Sequence, residues 1–498
     1  MSSTALPSII QGGMGIGVSN WRLARAVSRR GHLGVVSGTA IDSLFVRRLQ
    51  DGDVGGHLRR AMAAFPLPEV AEAALRKYFL PGGRPDGTPY KMLSMYRQGA
   101  SRAREQLNVL ASFVEVWLAR EGHSGVVGIN LLTKVQLPNL AALYGAMLAG
   151  VHYVLMGAGI PREIPGVLDA LARHARASLR LDVEGLAAGE TVEAVLEPAE
   201  HWEGQVPPAL ARPAFLPIIS SESLATMLTR KASGEVNGFV IEGPTAGGHN
   251  APPRGKAQLN HRGEPIYGER DVAKLETMRE IGLPFWLAGG TGSPDALRKA
   301  QAAGAAGIQV GTLFAYADES GLTPEYKQSV LEHASRGEVD VVTDPRASPT
   351  GYPFKVVRWP ADPVAAAPER ERVCDLGYLR AAYVRPDGKV GYRCAAEPVK
   401  AYVEKGGTEG DTEGRRCLCN ALMANVGHAQ IRTEGRVEQP LLTSGDDLIG
   451  IGAFLHGRTS YSADDVLDYL EGKGDSTSLG RDDACQPGDD LAARSTPA

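Results

Sequence analysis

The chain has 498 residues, of which 43% are hydrophobic and 22% are charged, a composition typical of a globular protein with a sizeable core. The formal net charge is −4, from 53 basic and 57 acidic residues, so bulk charge gives no basis for binding nucleic acid or an anionic membrane. Because apolar runs stop short of the roughly 18 residues of a spanning helix and the N-terminus lacks a secretory pattern, we expect a cytoplasmic protein.

Short apolar segments of the strand type recur along the chain, and each is followed by a segment of helical pattern. Nine of them begin at Ser8, Leu33, Val126, His152, Leu179, Phe215, Gly238, Pro284 and Gly307. Apolar strands that alternate with helices indicate a parallel sheet covered on both faces. A series this long favours an α/β fold of the (β/α)8 TIM-barrel type over an open doubly wound sheet. The segment at Leu179 is the one expected outside the barrel.

Two long stretches depart from this alternation and predict additional parts. The barrel is predicted over residues 1–44 and 125–360. Residues 45–124, rich in Arg, Ala and Leu, predict a helical insertion, and residues 361–471 predict a C-terminal α+β extension. Residues 472–498 lack aromatic side chains and are predicted to be disordered.

The loops that follow the strands form the mouth of such a barrel, where functional residues of this fold lie. The loop over residues 11–19 is rich in glycine, which lets the backbone approach a flat ligand, although an ordinary turn would look the same. Asn130 is the polar residue within the third strand, and a buried amide needs a hydrogen-bond partner, either local backbone or a ligand.

Two further loops contain glycine and follow adjacent strands near the end of the series. Gly289 and Gly290 follow one strand, and Gly311 and Thr312 follow the next. Free backbone N–H groups and the positive end of a short helix favour a phosphate, and phosphate sites of TIM barrels lie after the last two strands. The loops therefore predict a phosphate-bearing cofactor, whereas the glycine fingerprint of dinucleotide-binding folds is missing from the sequence.

One histidine stands in a small-residue turn at the predicted mouth. His249 comes directly after Gly247 and Gly248, which follow the Phe239-Val-Ile-Glu strand. Imidazole is the side chain best suited to move a proton near neutral pH. We interpret His249 as the catalytic residue, and the alternative is a loop histidine without a role.

Four cysteines cluster in the predicted extension. They are Cys374, Cys394, Cys417 and Cys419. Four thiolates can enclose zinc or hold an iron–sulfur cluster, although the paired C-x-x-C spacing is missing. Three interpretations of the cluster therefore remain: a structural zinc site, one or two disulfides, or reduced structural thiols. A catalytic cysteine is not expected, because none follows a barrel strand.

Taken together, these motifs resemble the nitronate monooxygenase (2-nitropropane dioxygenase) family. The resemblance covers about residues 5–360 and rests, in order, on Ile9-Ile-Gln-Gly-Gly-Met-Gly, Gly128-Ile-Asn, Ala246-Gly-Gly-His, Ala288-Gly-Gly and Gln309-Val-Gly-Thr. The same barrel and Gly-Gly-His turn occur in FMN-dependent enoyl reductases and in some NADH:quinone reductases.

The resemblance implies non-covalent FMN and a set of residues that hold it. The cofactor-binding residues it implies lie in or beside the strand-end turns: Gly12, Gly13, Met14, Asn130, Gly247, Gly248, Gly289, Gly290, Gly311 and Thr312. The last four would bind the phosphate, and the first four would contact the ring or its ribityl chain. His249 would act on the substrate, either as a base on the nitroalkane carbon or by holding the nitronate oxygens.

Three functions are compatible with these residues. The first is oxidation of nitronates or nitroalkanes by dioxygen to a carbonyl compound and nitrite. The second is an NAD(P)H-dependent reduction of carrier-bound acyl chains, and the third is a flavin-binding partner protein with little turnover. The substrate would be a small molecule or a carrier-bound one, and a homodimer is a further expectation. The size of the substrate is not predicted, because the helical insertion and the C-terminal extension could change the pocket. Arg254 and Lys256, which follow the histidine, add positive charge near the predicted mouth.

Overall fold

The computed structural model describes residues 6–202, 207–362, 370–432 and 435–473. The tail predicted to be disordered lies, from residue 474 onward, outside the described residues. The first part of the chain contains β1 (Ile9–Gln11), α1 (Trp21–Arg29), β2 (Gly34–Ser37), α2 (Ile41–Gln50), α3 (His57–Ala63), α4 (Pro68–Tyr78) and α5 (Arg102–Arg120). The second part contains β3 (Val127–Leu132), α6 (Asn139–Leu148), β4 (Tyr153–Gly157), α7 (Ile164–Ala172), β5 (Ala177–Arg180), β6 (Val183–Glu184), β7 (Glu193–Leu196), β8 (Ala214–Ile219) and α8 (Glu222–Lys231).

The third part contains β9 (Phe239–Glu242), α9 (Leu275–Ile281), β10 (Phe285–Ala288), α10 (Pro294–Ala302), β11 (Gly307–Val310), α11 (Thr312–Ala315), α12 (Pro324–Ser335), β12 (Asp340–Asp344) and β13 (Phe354–Arg358). The last part contains β14 (Ala381–Val384), β15 (Val390–Arg393), α13 (Val399–Glu404), α14 (Leu418–Asn425), α15 (Gly452–Leu455) and α16 (Ala463–Leu470).

Eight of these strands form one parallel sheet that closes on itself. Their order is β1–β11–β10–β9–β8–β4–β3–β2, and a parallel bridge between Ile10 and Leu33 joins the two ends. With helices following the strands, this is a (β/α)8 barrel, and the predicted fold class is confirmed. The segment at Leu179 forms β5, which pairs antiparallel with β7 outside the barrel, as expected.

The barrel interior is filled by every second residue of the strands. This inner core contains Ile10, Leu33, Val35, Leu155, Leu216, Val240, Trp286 and Ala288. The alternate residues, such as Ile9, Val36 and Ile241, belong to the larger core between the sheet and the helices. Because side chains of a strand point alternately to its two faces, this pattern decides which residue at each strand end faces the barrel axis.

Side-chain caps mark several helix starts. The Asn20 side chain accepts a hydrogen bond of 3.0 Å from the amide of Leu23, and the Ser293 hydroxyl accepts one of 3.1 Å from the amide of Ala296. Each cap satisfies an amide that has no partner within its own helix.

The stretch between β2 and β3 contains helices α2 to α5 and a segment without helix or strand over residues 79–101, and its last helix belongs to the ring around the barrel. Helix α5 packs against α1 and α6, which is the place of the helix in the second βα unit. The ion pair between Asp42 and Arg104 is buried and joins α2 to α5. The Tyr378 hydroxyl, from the C-terminal extension, donates a hydrogen bond to the same Asp42.

The C-terminal extension has mixed structure and wraps around the barrel. Strand β14 pairs with β15 and, in parallel, with β6. Helix α16 packs against α1, where Arg30 pairs with Asp464 and Asp468. Among the residues that the structure describes, none of the helices is long and apolar enough to cross a membrane.

Candidate functional site

A cavity lies at the mouth of the barrel, at the carboxyl ends of its strands. It holds about 1570 Å3 of empty space, including its opening to solvent. Its wall includes His249 and all ten residues predicted to bind the cofactor, namely Gly12, Gly13, Met14, Asn130, Gly247, Gly248, Gly289, Gly290, Gly311 and Thr312. Loops from residue 12 to residue 312 thus converge on one space. What these residues bind stays a prediction.

The turn after β1 is held tightly against β3. The Ser19 hydroxyl lies 2.8 Å from the carbonyl oxygen of Gly12 and accepts a hydrogen bond of 2.9 Å from the amide of Met14. The side-chain amide of Asn130 donates to the carbonyl oxygen of Gly13 over 3.1 Å. A Cβ atom at Gly13 would lie only 2.1 Å from the Cβ atom of Asn130, so this position has no room for a side chain.

Three side-chain amide oxygens in the cavity wall are buried without a protein partner among the described residues, one of them that of Asn425 in α14. Among the described residues, the Oδ1 atom of Asn130 and the Oε1 atom of Gln309 are buried without a hydrogen bond. Both residues line the cavity. Buried acceptors are normally satisfied, so these two atoms are suited to N–H or O–H groups of a bound polar molecule.

The loop after β10 has the backbone expected of an anion site. Gly289 and Gly290 have φ values of +87° and +66°, which favour glycine. Within the described part of the chain, the amides of these two glycines donate to no protein acceptor. Exposed amides in successive residues attract anions.

A segment of the C-terminal extension, residues 443–447, reaches the same loop. The amide of Gly292 donates to the Oδ2 atom of Asp447 over 3.1 Å, and the amide of Gly445 donates to the hydroxyl of Thr312 over 3.0 Å. Burial raises the pKa of Asp447. A carboxyl group therefore lies beside the loops predicted to bind phosphate, and nothing in the local sequence pattern indicated it.

His249 is held in a mainly apolar environment. Its Nε2 atom lies 2.7 Å from the Oγ atom of Ser348, and its ring packs edge-on against Phe354 at 4.8 Å between centroids. Burial lowers the pKa of His249 to about 4. The imidazole is therefore neutral at physiological pH, and it can hold a polar group but is a weak base.

Glu242 is a cavity residue outside the motifs that predicted the site. It ends strand β9 and lines the cavity. Burial raises the pKa of Glu242 to about 8. The available signal was an acidic residue at the carboxyl end of an otherwise apolar barrel strand, which is where functional side chains of this fold lie.

The C-terminal extension contributes part of the apolar wall of the cavity. The residues concerned are Leu379, Leu418, Cys419, Leu422 and Leu442. Sequence reasoning missed them because their approach to the barrel depends on long-range packing. Cys419 lies in the cavity wall although it follows no barrel strand. Its thiol is protonated, because burial raises the pKa of Cys419.

The four clustered cysteines are free thiols rather than disulfides. They are Cys374, Cys394, Cys417 and Cys419, and the last three are buried. Over the described ranges, no group of three or more His, Cys, Asp or Glu side chains is placed to hold a metal ion. The predicted zinc site is therefore not supported, and of the open alternatives, reduced thiols are what the structure contains.

Comparison with known proteins gives one sequence match of limited extent. No protein-family model matches the chain. A curated protein named "Probable nitronate monooxygenase" from Staphylococcus haemolyticus is 33% identical over 106 residues. The match covers 21% of this chain and only 28% of that protein. The resemblance seen in the motifs is thus confirmed. A match of this length does not establish the activity of the whole chain.

Several solved structures align with most of the chain at low similarity. FabK from Thermotoga maritima is 17% identical with a TM-score of 0.43, over 94% of this chain and 93% of that one. A nitroalkane oxidase from Streptomyces ansochromogenes is 15% identical with a TM-score of 0.44, over 94% and 95%. The enoyl reductase domain of MlnA from Bacillus amyloliquefaciens is 12% identical with a TM-score of 0.43, over 94% of each chain. These likenesses are remote, and the strand order itself establishes the fold.

Proposed function

We propose that the protein is an FMN-dependent oxidoreductase of the nitronate monooxygenase type. It would oxidise nitronates or nitroalkanes with dioxygen to a carbonyl compound and nitrite. The observation that carries the proposal is the convergence of the glycine-rich turns, the phosphate-type loop and His249 on a single cavity. A TIM barrel places its active site at this end of the strands.

The residues present fit FMN. The unpartnered oxygens of Asn130 and Gln309 are buried acceptors in the cavity wall, and the missing side chain at Gly13 lets the turn after β1 pack directly against Asn130. The free amides of Gly289 and Gly290 suit the phosphate. When bound, FMN would supply the electron transfer between substrate and dioxygen, which no side chain can provide.

The protein's own contribution is positioning and exclusion of water. His249 is neutral, and the Ser348 hydroxyl can donate to its Nε2 atom, which leaves the proton on Nδ1. An imidazole N–H fixed in this way can donate a hydrogen bond to a nitro or nitronate oxygen. The apolar wall from Leu379, Leu418 and Leu422 excludes water around the reacting carbon.

The experiment measures flavin content and nitrite release. The purified protein should be yellow and should release nitrite from propyl-2-nitronate in air. Replacing His249 with Asn should lower kcat/KM by about 100-fold, as removal of one catalytic group does, with flavin content unchanged. His261→Asn is the matched control, because His261 is exposed in a turn. A folded protein that stays colourless with excess FMN would refute the proposal.

A second candidate is an FMN-dependent enoyl reductase that uses NAD(P)H on carrier-bound acyl chains. The observation in its favour is a neighbouring cavity of about 1370 Å3, including its opening to solvent, that shares Tyr378 and Leu379 with the first and is also lined by Lys134 and Arg380. Such a space could receive a second ligand beside the flavin. Rapid anaerobic bleaching of the flavin by NAD(P)H, without nitrite release in air, would favour this reductase.

A further inference from the structure

Glu242 faces the axis of the barrel at the bottom of the cavity. Within β9, Val240 belongs to the inner core of the barrel, and Ile241 belongs to the core under the helices. Side chains alternate along a strand, so Glu242 faces the same way as Val240, one layer closer to the mouth. This places its carboxyl group in the wall of the cavity that holds His249.

The same residue borders a second opening. A smaller cleft outside the mouth is lined by Glu242 together with Ser220, Arg254, Tyr267 and Asp271, among others. Arg254 is exposed to solvent. Glu242 is therefore the ionisable residue that the inner cavity and this outer cleft have in common.

His249 lines the inner cavity but not the outer cleft. Its Nε2 atom contacts Ser348, whose hydroxyl is fully buried and lies 2.8 Å from the Thr350 hydroxyl. Burial also lowers the pKa of His249 to about 4, so the imidazole retains a proton poorly near neutral pH. His249 is thus suited to holding the substrate, and Glu242 is the stronger base of the two.

Few ionisable groups line the two spaces that Glu242 borders. His249, Tyr378, Cys419 and Asp447 line the inner cavity, and Arg254, Tyr267 and Asp271 line the cleft. Burial alone raises the pKa of Glu242 to about 8. A carboxylate of that basicity accepts a proton from carbon more readily than an ordinary one, because basicity increases with pKa.

We propose that Glu242 accepts the proton from the substrate carbon and passes it to solvent through the cleft beside Arg254. The inference rests on the proposed function. For a neutral nitroalkane, the C–H bond breaks, an O–H bond forms on the Glu242 carboxylate, and the electron pair stays on the nitronate. The carboxylic acid then releases its proton to water in the cleft. A nitronate supplied ready-made needs no such step.

The test compares a neutral nitroalkane with its preformed nitronate. Glu242→Gln should lower kcat/KM for nitroethane by at least about 100-fold and should change kcat/KM for ethyl nitronate by less than about threefold. The wild-type rate on nitroethane should rise with pH and level off above about pH 8. Glu276→Gln is the matched control, since Glu276 lies exposed on α9 with its side chain 76% accessible.

A second measurement does not depend on turnover. In infrared difference spectra recorded at about pH 6 and about pH 9.5, the wild-type protein should show a protonated carboxyl band that disappears with rising pH. Glu242→Gln should lack this band. Glu242→Asp, which keeps a carboxyl group, should recover part of the nitroethane activity, and equal flavin content shows that each variant is folded.

The outcomes separate the inference from the function on which it rests. Full nitroethane activity in Glu242→Gln, or an equal loss on both substrates at normal flavin content, would overturn the role of Glu242 alone. Wild-type protein that turns over neither substrate would overturn the proposed function and this inference with it.

Discussion

The Nε2 atom of His249 lies 2.7 Å from the Oγ atom of Ser348, although the two residues are 99 positions apart in the chain. The contact exists because the loop after β9 packs against the hairpin of β12 and β13, where His249 forms a backbone bridge with Phe354. The amide of Gly248 also donates to the Thr443 hydroxyl over 2.9 Å. The histidine is thus oriented by residues from outside the eight βα units.

Ser348→Ala should reduce turnover without removing the flavin. The variant loses the hydroxyl that fixes the imidazole, and a single hydrogen bond of this kind contributes about 1 kcal/mol, so kcat should fall about fivefold to tenfold. Nitrite release and flavin absorbance measure the two quantities. Ser335→Ala, at an exposed position of α12, should behave as wild type. Unchanged kcat in Ser348→Ala would show that the hydrogen bond does not orient the histidine for the reaction.

The stability of the protein should depend on His249 in acid. Burial lowers the pKa of His249 to about 4 in the folded state, whereas a histidine in the unfolded chain titrates near 6.5. As the pH falls from about 6.5 to 4, the unfolded chain takes up a proton that the native state does not, so native stability is lost over this window.

Urea unfolding at about pH 7.5 and about pH 4.5 measures this loss. His249→Asn should lose about 2 kcal/mol less than wild type between these conditions. His261→Asn should lose as much as wild type, because His261 is exposed. Parallel losses in all three proteins would contradict the neutral, buried state of His249.

Gly13→Ala should disrupt flavin binding more than Gly12→Ala does. A Cβ atom at Gly13 would lie 2.1 Å from that of Asn130, while one at Gly12 would have its nearest neighbour, the carbonyl oxygen of Val310, at 3.4 Å. Overpacking of this kind costs about 1–3 kcal/mol, and Asn130 would have to move. Titration with FMN, followed by flavin fluorescence, should show at least about tenfold weaker binding for Gly13→Ala. Equal affinities for the two variants would show that Asn130 adjusts without loss.

Asp447→Asn should strengthen binding of the phosphate group. The Asp447 carboxyl group accepts a hydrogen bond from Gly292 beside the Gly289–Gly290 turn, where a negative charge repels a phosphate. An amide oxygen keeps the hydrogen bond and removes the charge, so FMN affinity should rise by about threefold to tenfold. Riboflavin, which has no phosphate, is the matched control ligand and should bind both proteins equally. A parallel change for FMN and riboflavin would show that charge at Asp447 does not act on the phosphate.

Features with a local signature could be predicted from the chain. Apolar strands alternating with helices predicted the barrel, and the glycine pairs at Gly12 and Gly289 predicted the mouth, because parallel strands bring their carboxyl ends to the same side. His249 was predicted for the same reason. Glu242 could have been found from its place at a strand end.

Other features depend on contacts between segments that are remote along the chain. The contact of Ser348 with His249 arises from packing of the β12–β13 hairpin against the loop after β9. The approach of Asp447 to Gly292 and the apolar wall from Leu418 arise from packing of the extension against the mouth. Strand periodicity and turn chemistry depend on a few neighbouring residues, so both can be recognised in the sequence. The path of the extension depends on how its side chains pack against the barrel. Those contacts join residues that are far apart in the sequence, and they exist only in the folded chain.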